Sequence, residues 1–411
     1  MGKVKKYNWV IGEEFPLVDD HSIVKLEIIE RYIEIYLTVL TQSHVMDSLK
    51  LTVVDGFAGG GLYSGDIKGS PLRIYESIQK TQKLINYERE NKNYKQINFD
   101  IDLHLIEKCK NAYTFLEHTM KQYGYSHNLY MYNGKFEDQL DALIQKIQKK
   151  SRVHRSIFVL DQYGYTDASI CSIKKIFKKL KKVEVILTFS VDSLIDYISR
   201  KKPKLLTNMG LSKEDCEKIF DVKEDNDFAR SKIQPILYQT IVNQTGASFY
   251  TPFFIKSDTS NRSYWLFHLS SHSKARDEMV KLHWDKQNTF QHFGKAGLKM
   301  LIGYDSSNKN SLFEAYGFDH GAKEKSLDAL SEELPILIHA HENISFDSLK
   351  NTIINETPAT VDMIKQSLNV HIQTGEIIVK SADGVTRQKS NTIKDTDFII
   401  KPKKIQKRMF M

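Results

Sequence analysis

The densest chemical signal in the chain is Val53-Val54-Asp55-Gly56-Phe57-Ala58-Gly59-Gly60-Gly61. An apolar run that stops at an acid and continues into glycines predicts a buried strand followed by a tight turn. The backbone of such a turn can approach a ligand closely. No Lys-Ser/Thr pair follows at phosphate-loop spacing, so a nucleotide-like cofactor at the strand ends is the better expectation than a triphosphate cradle. Asp55, Gly56, Phe57, Gly59 and Gly61 are the cofactor-binding candidates from this segment. Glu107 closes the next apolar run, where a carboxylate can accept both hydroxyls of a ribose. Its separation from the glycines exceeds the usual spacing, and the excess is assigned to the polar run Lys80–Asn98, read as the rest of the helix begun at Ser70 plus an insertion. Phe136-Glu137-Asp138 opens a later helical pattern, where Asp138 is either an acid near a cofactor adenine or a plain helix N-terminal acid.

A second constellation, Asp161-Gln162-Tyr163-Gly164, ends a further apolar run. An Asp at a strand end can orient an amine while an adjacent aromatic ring stacks on a base. Asp161 and Tyr163 are therefore the catalytic candidates. His268, His272 and His283 do not fall on one helical face and have no neighbouring acid in a zinc signature, so no metal is expected. Cys109, Cys171 and Cys216 are too scattered for a disulfide framework or a CxxC site.

These residues require a frame. Strands are expected at Leu51–Asp55, Ile101–Ile106, Leu129–Tyr132, Ser156–Leu160 and Val183–Phe189, alternating with helices at 22–40, 70 onward, 112–123, 136–149 and 167–182. Ser70-Pro71 is a helix start, with Ser70 as the cap. A helical insertion near 192–245 and a closing pair, Phe249–Ile255 and Tyr264–Leu269, follow. Strands alternating with helices predict an α/β fold with a parallel sheet. Beyond 325 the order changes to helices at 331–341, 346–354 and 358–370, then a hairpin around Ala382-Asp383-Gly384. Helices followed by a hairpin is winged-helix order, with 358–370 as the groove-entering helix. The expected organisation is an N-terminal helical segment 1–45 packed on the core, a Rossmann-like domain 46–324, and a winged-helix domain 325–411 ending in a basic tail.

The chain has 411 residues, 41 % hydrophobic and 27 % charged, with a net charge of +8. That is ordinary globular composition and excludes collagen-like structure and wholesale disorder. No apolar stretch is long enough for a membrane span, and Met1–Tyr7 leads into no secretory segment, so a soluble cytoplasmic protein is expected. Lys401, Lys403, Lys404, Lys407 and Arg408 give a tail without acids, suited to nucleic acid or to solvent.

The chain resembles the three-Cys-motif partner protein (TcmP) family over residues 20–285. The resemblance is carried by His21, Lys25, the Val54–Gly61 block, Tyr63, Gly65, Gly69-Ser70-Pro71, Leu160–Gly164, Ser271-His272-Ser273, Met279 and Trp284. The C-terminal part looks like the winged-helix domain that such proteins can carry. This family is similar to class I S-adenosylmethionine-dependent methyltransferases. The resemblance implies a Rossmann-like methyltransferase sheet, S-adenosylmethionine as cofactor, Asp55 and the glycines as its first motif, Glu107 as the ribose acid and Asp161-Gln162-Tyr163 as the catalytic block. By solvation His21 and Lys25 are simply helix-surface residues four apart; with the resemblance, Lys25 joins the catalytic candidates. Amino-methyltransferases commonly have Asp/Asn-Pro-Pro-aromatic where this chain has Gln162. The implied activity is methylation of nucleic acid, DNA first, in a bacterial or phage modification or defence system. The alternative is a non-catalytic cofactor-binding adaptor for a three-Cys-motif iron–sulfur protein, which the family name implies as partner.

Overall fold

The computed structural model describes residues 7–125, 128–151, 153–162, 167–224, 229–256, 263–286, 291–293, 296–298, 315–318 and 320–402. Two compact units divide the chain, Met1–Leu282 and His283–Met411.

The first unit begins with α1 (Asp20–Leu40), whose Ile28, Ile29, Tyr32, Ile33 and Leu37 are buried as the helical spacing predicts. Then come β1 (Ser48–Asp55), α2 (Ser70–Asn91), β2 (Asn98–Glu107), α3 (Lys110–Gln122), β3 (Leu129–Asn133), α4 (Phe136–Lys150), β4 (Arg155–Leu160), α5 (Ile170–Lys179) and β5 (Lys182–Phe189). Helices α6 (Val191–Tyr197), α7 (Lys204–Thr207), α8 (Lys213–Glu224) and α9 (Ala229–Thr245) form the insertion. Strands β6 (Phe249–Lys256) and β7 (Ser263–Ser270) and helix α10 (Ser273–Asp285) follow.

The strands of this unit run in the order β3-β2-β1-β4-β5-β7-β6. Pairings from β3 to β5 are parallel, while β7 is antiparallel to both β5 and β6. The chain builds outward from β1 in one direction and then from β4 in the other. The strand order therefore reverses between β1 and β4, and a crevice opens at their C-terminal ends, where ligands bind in open α/β sheets. Asp55 pairs with Leu105 on one side and Val159 on the other, so β2 runs two residues past the end of β1, to Glu107, and β4 one, to Leu160.

Some sequence expectations are corrected here. The polar run Lys80–Asn98 does complete the helix begun at Ser70, which continues to Asn91, but it holds no insertion, since only a short connection separates it from β2 at Asn98. Glu107 is far from the glycines because a 22-residue helix lies between them. Ser70 does not cap α2, since Gly69 occupies that position and makes no side-chain bond; Ser70 is buried in the first turn instead. Helix α5 starts at Ile170 rather than 167, with the Ser169 hydroxyl accepting from the Ser172 N–H at 3.1 Å.

The second unit contains the paired strands β8 (Gln291–Phe293) and β9 (Ala315–Gly317), then α11 (His320–His339), β10 (Asn343–Ser345), α12 (Phe346–Ile353), α13 (Val361–Ser367) and α14 (Asn369–Thr374). Strands β11 (Ile378–Lys380), β12 (Thr386–Arg387) and β13 (Phe398–Ile400) complete a small antiparallel sheet of order β10-β13-β11-β12. Leu334, Ile338, Phe346, Leu349, Ile364 and Ile399 form its core. The boundary lies after Leu282, upstream of the expected 325. The Trp284 indole donates to the Pro358 carbonyl at 2.8 Å and packs edge-on against Phe318, so these residues belong to the second core. The single helix expected over 358–370 is instead α13 and the start of α14, and α13 is opened by Thr360, whose hydroxyl accepts from the Met363 N–H at 3.1 Å. The hairpin turn reverses at Gly384, with φ +80°. The tail beyond Pro402 lies outside the described residues.

Arg89, near the end of α2, is buried and donates to the carbonyls of Thr41, Ser43, Met46 and Lys95 at 2.6–3.2 Å. It joins the end of α2 to the connection between α1 and β1. Arg89→Leu should cost about 3 kcal/mol or more through orphaned carbonyls, a fall in Tm of roughly 6–12 °C. Calorimetric melting of both proteins checks this, and an unchanged Tm would show that water replaces the guanidinium at no cost.

Candidate functional site

The loop after β1 is built from backbone bonds to its neighbours. The Gly56 N–H donates to the Val159 carbonyl at 2.9 Å, and the Ala58 N–H donates to the Ile106 carbonyl at 3.0 Å. Both bonds require the main chain to lie against the ends of β4 and β2, where little room is left for side chains. A Cβ on Gly56 would meet Leu160 at 2.7 Å. A Cβ on Gly60 would meet the Trp9 ring at 2.3 Å, and Gly59 has a left-handed backbone with φ +60°. The Trp9 indole donates to the Leu62 carbonyl at 2.7 Å, which locks the ring over the loop. Tyr7, Trp9 and Tyr63 form an aromatic cluster with centroids 5.4–5.7 Å apart.

The crevice holds a cavity of about 450 Å³. Of the sequence candidates, Lys25, Gly56, Phe57, Gly59, Glu107, Asp138 and Asp161 line it. Asp55 and Gly61 do not: they lie behind the loop. The Asp55 carboxylate turns back to accept from the Phe57 N–H at 3.2 Å, and the Gly61 carbonyl accepts from the Gly69 N–H at 2.8 Å. Tyr163 and Gly164 lie outside the described residues. Tyr7 and Trp9 also line the cavity, and no motif or periodicity marked them. The only available signal was their aromaticity in an otherwise irregular segment.

Glu107 receives the Gly59 N–H on Oε2 at 3.0 Å and the Cys109 N–H on Oε1 at 2.6 Å. Its carboxylate is thereby fixed in plane at the tip of β2, with its edge on the cavity. Asp138, in the first turn of α4, is exposed at the far side. Asp161 follows β4, and its Oδ1 accepts from the Lys25 Nζ at 2.7 Å. Lys25 is 6 % exposed, so α1 delivers a nearly buried ammonium to the catalytic candidate of the sheet. Close charge compensation of this kind fixes the carboxylate's rotamer. Next to it the Gln162 Oε1 accepts from the N–H groups of Asp167 and Ala168, both at 3.0 Å. Its Nε2 is a buried donor on the cavity wall with no partner among the described residues. A group of that kind calls for an acceptor from a ligand or water. No metal-binding cluster of His, Cys, Asp or Glu occurs among the described residues.

Burial pushes the Asp55 carboxyl up to about 7. The Ser70 hydroxyl and the Phe57 N–H pull it down, and the charges of Asp161 and Glu107 add to the rise. The folded protein therefore holds this proton more tightly than the unfolded chain, and stability from this group is lost as pH rises from about 4 to about 7. Asp55→Asn should gain on the wild type across that window and keep a constant difference above pH 7. Melting curves from pH 4 to 8 test it, and a pH-independent difference would assign Asp55 an ordinary carboxyl.

Residues 303–384 match the family model of the GMT-like wHTH domain. No curated protein sequence matches the chain. Among solved structures, the chain is similar to M. jannaschii TYW2 in complex with AdoMet, at 11 % identity and a TM-score of 0.29 over 62 % of this chain and 76 % of that one. It is also similar to a SAM-dependent methyltransferase from Agrobacterium tumefaciens, at 10 % identity and a TM-score of 0.30 over 62 % and 63 % of the two chains. A third is the human methyltransferase 10 domain containing protein, at 9 % identity and a TM-score of 0.30 over 65 % and 90 %.

Proposed function

We propose that the chain is an S-adenosylmethionine-dependent methyltransferase acting on nucleic acid, with DNA as the polymer. The observation that carries this reading is the placement of the Lys25–Asp161 pair on the wall of the same cavity as the glycine loop and Glu107. When bound, the cofactor supplies an electrophilic methyl group on sulfur. Glu107 accepts the ribose hydroxyls, Asp138 accepts from the adenine amine, and the backbone at Gly56–Gly59 leaves room for the rest. Gln162 Nε2 is a donor for an acceptor atom of cofactor or substrate. Methyl transfer asks little covalent chemistry of the protein: the nucleophile must be held in line with the methyl group. Asp161 orients that nucleophile and accepts its hydrogen bond, and Lys25 holds Asp161 in place. Tyr163 supplies the stacking surface for the base.

The second unit supports a polymer substrate. On α13 and α14 the exposed side chains include Gln366 and Gln373, and side-chain amides of this type pair with adenine in a major groove. No helix among the described residues is long and apolar enough to cross a membrane. The resemblance to three-Cys-motif partner proteins supports a cytoplasmic role beside such a protein in a modification or defence system.

Calorimetry should detect S-adenosylmethionine binding to the wild type, and Glu107→Gln should weaken it about tenfold through loss of charge-assisted bonds to the ribose. Equal affinities would remove Glu107 from the cofactor site. Transfer of a labelled methyl group should be seen on duplex DNA. Asp161→Asn should lose on the order of a hundredfold in rate with cofactor affinity unchanged, and Lys25→Met should lower kcat more than it changes KM. Cofactor binding with no transfer to DNA or RNA would instead establish the non-catalytic adaptor.

A further inference from the structure

A second cavity, of about 560 Å³, lies at the other end of the sheet from the crevice. It is lined by the N-terminal residues of β4 and β5, the last turns of α1 and the first turns of α10. Parallel strands put these N-terminal ends together, one strand length from Asp161. That length is roughly 20 Å for the six residues of β4. Nothing in the crevice accounts for this space.

Its wall combines apolar surface with a biased set of charges. Val39, Leu40, Val183 and Ala275 supply the apolar part. The two acids are already engaged. Glu184 accepts from the Tyr32 hydroxyl at 2.5 Å and lies 2.9 Å from the His268 Nε2, while Glu278 pairs with Lys274 at 2.6 Å and Lys281 at 3.4 Å. Apart from Lys274, which Glu278 takes up, the cations on the rim are not engaged. Arg155, Lys181 and Lys182 have no hydrogen-bond or ion-pair partner among the described residues. The Tyr36 hydroxyl, which feels the charges of both Glu184 and Arg155, also has none. Burial and then the charge of Glu184 push its pKa well above that of an ordinary phenol, so it is a donor at any physiological pH.

We propose that this cavity binds a small amphipathic anion, with its acidic head on Arg155, Lys181, Lys182 and the Tyr36 hydroxyl and its aromatic or aliphatic body on the apolar wall. A guanidinium and a phenol on the wall of a partly apolar pocket suit a carboxylate or sulfonate, and the volume suits a body of small-molecule size. A free cofactor molecule, with its sulfonium charge and polar ribose, fits this surface poorly. The site is separate from the crevice and does not depend on the function assigned there.

The test uses the full chain and 8-anilinonaphthalene-1-sulfonate, with octanoate and octanol as competitors. The wild type should bind one equivalent of the dye. Arg155→Gln should weaken that binding about tenfold or more, and Ala275→Trp should abolish it by filling the cavity. S-adenosylmethionine affinity should be the same in all three proteins. Octanoate should displace the dye at concentrations at which octanol does not. Dye binding unaffected by Arg155→Gln, or equal displacement by the neutral alcohol, would overturn the proposal. Arg155 lies at the rim, so its replacement leaves the test valid if Ala275→Trp fails to fold.

Discussion

The site depends on one packing constraint: the chain must leave β1 between β2 and β4 using backbone alone. The Gly56 and Ala58 N–H groups bond to carbonyls of β4 and β2, so the turn is pinned from both sides. Leu160 below and Trp9 above leave no volume for a Cβ at Gly56 or Gly60. With the loop seated in this way, the Gly59 N–H reaches Glu107 and orients it. The crevice is thus the by-product of a strand order that reverses at β1 and β4, and the glycines are what allow the loop to line it.

Much of this frame was legible in the residues. Buried parallel strands read as short apolar runs, and β1, β2, β4 and β5 stand where Val, Ile and Leu cluster, because both faces of such strands are covered. Glu107 and Asp161 were recognisable because an acid ending an apolar run has few reasons to be there other than the strand's exposed tip. The end of α2 was not legible, since its second half is polar on nearly every side and lacks a buried stripe. The start of the second unit was missed because Trp284 and Phe318 find each other across a long sequence gap. Local periodicity has no access to such contacts.

The partner of Asp161 was also hidden. Lys25 and Asp161 are 136 residues apart, and their bond exists only because α1 runs across the sheet to the tip of β4. Burying an ammonium this deeply is unfavourable unless it meets an acid, so the pair constrains where α1 can lie. The same helix ends at Tyr36 and Leu40 beside the second cavity. One rigid element therefore touches both ends of the sheet. A displacement of α1 along its axis would alter the seat of Asp161 and the shape of the distant pocket together.

The position of Trp9 has a spectroscopic consequence. The chain has three tryptophans. Trp265 is sealed in β7 at 0 % exposure, and Trp284 belongs to the second core. Trp9 alone stands over the glycine loop, its indole edge on the cavity. Its emission is a native optical probe of that cavity, responsive to whatever enters beside the ring. Occupancy can be followed without attaching a dye to the protein.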